Sequence, residues 1–72
     1  MKATIESTTK LVTLNGVPAR VWEGTTEGGA RIVAFITRVS PFDGDAEQFE
    51  RELLHVQPPT PEVEAIPMRL LL

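Results

Sequence analysis

Hydrophobic and polar positions follow a strand-like pattern over the first half of this chain and shift to helical spacing after residue 44. Residues 3–14 (ATIESTTKLVTL), 17–26 (VPARVWEGTT) and 30–39 (ARIVAFITRV) are rich in Val, Ile and Thr, the residues that suit a pleated surface. Asn15-Gly16 separates the first two, and this dipeptide favours a two-residue turn with positive φ at both positions. Glu27-Gly28-Gly29 separates the second pair. The pattern predicts a three-stranded antiparallel meander over residues 1–39. Ser40-Pro41-Phe42-Asp43-Gly44 ends it.

Ala46, Phe49, Leu53 and Val56 then recur at helical spacing and predict a helix over 45–56, with Asp45 and Gln48 as a capping box. The proline-rich run that follows predicts a stiff linker over 57–64. Residues 65–72 (AIPMRLLL) read as a fourth strand, confined to an edge because Pro67 cannot donate to a ladder. The expectation is a single α+β domain over 1–72, ordered β-β-β-α-β, with one helix packed on one face of the sheet. A crossover would bring the last strand beside the first and parallel to it. The alternative is a strand swapped into a neighbouring subunit.

Alternation sorts the strand residues onto two faces. With even-numbered loops at both turns, Val12, Leu14, Val17, Ala19, Val21, Ile32, Ala34 and Ile36 share one aliphatic face, the expected core under the helix. Leu11, Thr13, Pro18, Arg20, Trp22, Arg31, Val33, Phe35 and Thr37 share the other. A second loop of three or five residues would flip the third strand and send Phe35 to the core. On the even register, Leu11, Arg20, Trp22, Val33 and Phe35, with Arg38 nearby, form an interface or ligand surface, because Trp, Phe and Arg are the residues of binding hot spots.

Composition narrows the chemistry. The 72 residues hold no cysteine and one histidine, so disulfides and thiolate zinc sites are excluded. A chain this short is marginal alone, which makes a homo-oligomer the expected device. A net charge of −3 argues against nucleic acid and anionic membranes as partners. No apolar run spans a bilayer and MKATIESTTK lacks a signal-peptide core, so a cytoplasmic location is expected. His55 stands alone, and Asp43, Asp45 and Glu47 lack the remaining positions of a calcium loop. No nucleophile–base pair is visible, so a non-enzymatic protein without cofactors is expected. Arg20, Trp22 and Arg38 leave room for a nucleotide ligand, since rings and guanidinium groups stack on bases.

The run IESTTKLVTLNGVPARVWEG, above all LNGVPARVWEG at 14–24, resembles small proteins carried by phages and prophages of Gram-negative bacteria, together with FITR at 35–38 and the tail AIPMRLLL. The resemblance spans nearly the whole chain and brings no catalytic residues with it. It implies a setting in which small acidic proteins bind and disable host components, including host defence systems. The expected function is therefore stoichiometric binding, with a host protein as target. Sequestration of a nucleotide signal and a structural role in a phage or bacterial complex are the alternatives.

Overall fold

A computed structural model describes residues 1–66. Three strands, β1 (Ala3–Leu14), β2 (Val17–Thr26) and β3 (Arg31–Ile36), form one antiparallel sheet in the order β1-β2-β3. Two short helices follow, α1 (Ala46–Glu52) and α2 (Pro61–Glu64), which makes the fold α+β. The first turn is as expected: Asn15 and Gly16 take φ of 50° and 82°, and Leu14 pairs with Val17, Val12 with Ala19 and Leu11 with Arg20.

The second turn corrects the even register. Thr26 N donates to Ala30 O at 2.8 Å and Gly29 N donates to Thr26 O at 3.0 Å, closing a three-residue loop in which Gly29 has φ of 93°. A turn followed by one left-handed residue is the usual solution for that loop length. The odd count moves β3 by one position. Val21 faces Phe35, Trp22 faces Ala34 and Glu23 faces Val33. Val33 and Phe35 therefore leave the face of Trp22 and join that of Val12, Ala19 and Val21, the core face. Ile32, Ala34 and Ile36 move the other way, onto the face of Leu11, Arg20 and Trp22.

β1 also carries a bulge. Its register with β2 shifts between Ser7 and Leu11, so Thr8, Thr9 and Lys10 stand opposite Val21 alone. Side chains replace the lost ladder. The fully buried Thr8 hydroxyl donates to Val21 O at 2.6 Å and accepts from Lys10 N at 3.2 Å. Arg20 Nη1 donates to Thr8 O at 2.6 Å. On the outer side, Thr9 N donates to Gln57 O at 2.9 Å and Gln57 N to Ser7 O at 3.3 Å, a parallel bridge at Thr8. The predicted crossover thus reaches the first strand, but at Gln57 in the proline-rich run.

The chain passes the β1 edge at that bridge, and the two helices lie on opposite sides of it. α1 stands over the face of Trp22, not the core face. It ends at Glu52, earlier than expected, and Asp45 makes no side-chain cap bond, so the capping box does not form. Within the predicted linker, Thr60 caps α2 by accepting from Val63 N, with Pro61 opening the helix. α2 takes the core face: Val63 is buried with Val12, Ala19 and Val21, against half-buried Leu14, Val33, Phe35 and Ile66. One helix on one face is thus replaced by two helices, one on each. Of the predicted edge strand 65–72, Ala65 caps α2 and Ile66 is not in a strand. Residues 67–72 lie outside the described residues.

Candidate binding groove

Trp22 sits in the middle of the sheet, on the central strand. Across from it are Ser7 on β1 and Ala34 on β3, and two residues along its own strand lies Gly24. All three neighbours are small, so the indole is half-buried at the floor of a depression. α1 and the turn after it roof this depression at a distance. Phe49, Leu53, His55 and Val56 form the far wall, and Glu52 and Gln57 complete the rim; Glu6 also borders the groove but pairs with Glu23, which sends its side chain to the core face. The groove so enclosed is about 540 Å³. Ser7 Oγ donates to His55 O at 3.2 Å and fixes one end of the wall to the sheet. Leu53 of this wall is 50% exposed, and Leu11, on the same face of the sheet as Trp22, is 65% exposed.

A second cavity, about 630 Å³, lies on the core face between α2 and the ends of β1, β2 and β3. Several of its polar groups are already engaged. Glu23 Oε2 accepts from Thr60 N at 2.9 Å, and Arg31 Nη2 reaches Glu62 Oε2 at 3.4 Å. The Glu62 carboxyl is held below its ordinary value of 4.5, first by a backbone N–H at the start of α2 and then by Arg31. Lys10 Nζ donates to Glu64 O at 3.2 Å and closes the other side of α2. These contacts make the larger cavity a seam that seats α2, whereas the groove over Trp22 keeps an apolar floor without such ties.

Of the six residues singled out from sequence, Leu11, Arg20 and Trp22 do share a face. Val33 and Phe35 lie on the opposite side of the sheet, for the reason given by the three-residue loop. Arg38 is exposed beyond the end of β3. Arg20 is half-buried and spends its guanidinium on the bulge carbonyl of Thr8, so it serves the fold directly. Phe49, Leu53, His55 and Val56 were not singled out as site residues. The helical spacing of Phe49, Leu53 and Val56 is visible in the sequence, but that spacing alone does not say which face a helix covers.

Among the described residues no group of three or more His, Cys, Asp or Glu side chains could hold a metal ion, and no helix is long and apolar enough to cross a membrane. Comparison with family models, with curated proteins and with solved structures finds no match.

Proposed function

We propose that this chain is a small non-enzymatic binding protein that acts by stoichiometric occupation of a protein partner. The observation that carries the reading is the groove over Trp22: an aromatic floor, apolar walls from Phe49, Leu53 and Val56, and a carboxylate at Glu52. Apolar contact with Trp and Phe supplies binding energy, and the Glu52 carboxylate selects charge. The complementary ligand is a short segment with one large apolar side chain flanked by Lys or Arg. In the phage or prophage setting that the sequence resembles, that segment would belong to a host protein, a component of a defence system being the proposed class.

The same rim speaks against sequestration of a nucleotide. Phosphate would meet Glu52, and Arg20, the cation nearest in register to Trp22, is already bonded to Thr8 O. Nothing in the groove favours a purely structural role.

Trp22 is the only tryptophan, so intrinsic fluorescence reports on the groove floor alone. Short peptides with a single Leu, Phe or Met flanked by Lys or Arg are titrated, with Asp/Glu-flanked counterparts and a nucleotide panel alongside. The basic peptides should shift the emission saturably, and Glu52→Lys should weaken them about tenfold. Silence from every peptide overturns the reading, and a response to nucleotides alone overturns it in favour of sequestration.

A further inference from the structure

β3 has the composition of an interior strand but lies at the edge of the sheet. Ile32, Ala34 and Ile36 are half-buried on the groove face, and Val33 and Phe35 are half-buried on the core face. Strands apolar on both sides normally run between two neighbours. Edge strands normally carry charged side chains, proline or a bulge that blocks further pairing. Along Arg31–Ile36, β3 has no proline or bulge, and its one charged side chain, Arg31 at the strand's start, is paired with Glu62. The other edge of the sheet is covered at Thr8 by Gln57, while no strand among the described residues pairs with β3 on its outer side.

We propose that β3 pairs with β3 of a second copy of this chain, antiparallel about a two-fold axis at Val33, so that two meanders become one continuous sheet. The register follows from the second hairpin. Because Thr26 N donates to Ala30 O, the backbone groups of Ala30, Ile32, Ala34 and Ile36 turn toward β2, and those of Arg31, Val33 and Phe35 turn outward. A two-fold axis normal to the sheet keeps each face continuous, so odd-numbered residues must oppose odd-numbered ones. With Val33 opposite itself and Arg31 opposite Phe35 of the second copy, every outward N–H and C=O of these three residues finds a partner. A shift by two residues leaves Arg31 opposite Thr37, beyond the end of the strand.

Side chains agree with that register. On the core face the two Val33 side chains meet, and the aliphatic stem of each Arg31, whose guanidinium pairs with Glu62 of its own chain, lies beside Phe35 of the other copy. Because the copies are antiparallel, Arg38 of each copy, just past the end of β3, comes to the end of the seam that holds the Glu27-Gly28-Gly29 turn of the other. Arg38 and Glu27 are both exposed, and neither forms an ion pair among the described residues. The second copy therefore supplies opposite charge at both ends of the seam. This interface adds to the groove reading and stands if the groove binds nothing.

Sedimentation of the unmodified chain should give the mass of a dimer. The amides of Arg31, Val33 and Phe35 should be protected from hydrogen exchange at high concentration and lose that protection on dilution. The chain has no cysteine, so designed pairs report cleanly. Ile32 and Ala34 of the second copy form a closely spaced pair in this register, within disulfide reach. Ile32→Cys mixed with Ala34→Cys should cross-link on oxidation, and neither should cross-link alone. A monomer mass at every concentration overturns the proposal. So does free exchange of the three amides in the concentrated protein. Cross-linking by Ala34→Cys alone overturns the register about Val33.

Discussion

Thr8 shows how much of this fold rests on single polar atoms. Its hydroxyl replaces the ladder partner that the bulge takes from Val21, and its carbonyl is held by Arg20. Thr8→Val keeps the shape and removes the hydroxyl, leaving the Val21 carbonyl unpaired in a buried site. We expect a loss of about 1–3 kcal/mol in denaturant unfolding, with Thr8→Ser retaining more of the stability because it keeps the bond. Gly24 is needed for a different reason. A Cβ at that position would overlap the Thr4 carbonyl oxygen and crowd Ile5, both backbone groups that cannot step aside. Gly24→Ala should cost about 3 kcal/mol. Gly28→Ala, where nothing lies within 4 Å, should leave the unfolding midpoint nearly unchanged. Neither role was legible in the sequence. Ser7-Thr8-Thr9 reads as ordinary strand chemistry, and Arg20 reads as a ligand group beside Trp22, because a bulge has no composition of its own to mark it. Asn15-Gly16 was legible, since its turn demands positive φ and few other residues supply it.

At the scale of elements, the strands could be read because alternation and β-branched composition depend only on local chain. Their faces could not be read with the same certainty. One residue more in the Glu27-Gly28-Gly29 loop decides where Val33, Phe35 and every other β3 side chain points. α2 was masked by its prolines, although Thr60-Pro61-Glu62 carries a start signal: a capping hydroxyl, proline at the first position and an acid in the first turn. This short helix is a stability element despite its length, since Val63 completes the core. Val63→Ala should lower stability by about 2 kcal/mol in the same assay, and Thr60→Ala by about 1 kcal/mol. α2 also brings a pH dependence. Glu62 titrates below its ordinary 4.5 in the folded chain, so the unfolded chain binds its proton more readily. Its contribution is fully present above about pH 4.5 and is lost as pH falls through the lower folded value. Glu62 is exposed, so the effect is modest. Unfolding followed from neutral pH into acid should show a smaller decline for Glu62→Gln than for the unmodified chain.

For the whole molecule the question is what supplements a small core. Its buried apolar side chains, among the described residues, are Val12, Ala19, Val21 and Val63; no leucine, isoleucine or phenylalanine is fully buried there. Burial of a valine contributes about 1.5–3 kcal/mol at most, set against about 1–2 kcal/mol of backbone entropy for every residue ordered. Further apolar side chains that could add to this, Val33 and the larger Phe35 among them, stay half-buried. Both lie on β3, the strand that a second copy would cover. If pairing through β3 supplies the missing burial, unfolding is coupled to dissociation, and mass action then raises the midpoint with protein concentration. Each tenfold increase adds about 1.4 kcal/mol to the dimer, which for two chains of this size moves the midpoint by roughly 3–6 °C. Calorimetry over a range of concentrations measures this directly. A rising midpoint in the unmodified chain, flattened in Val33→Pro, would tie stability to the outer edge of β3, because proline there removes an N–H that β2 does not use. A midpoint independent of concentration would place the whole stability of the fold within one chain, and the half-buried residues of β3 would then be tolerated exposure.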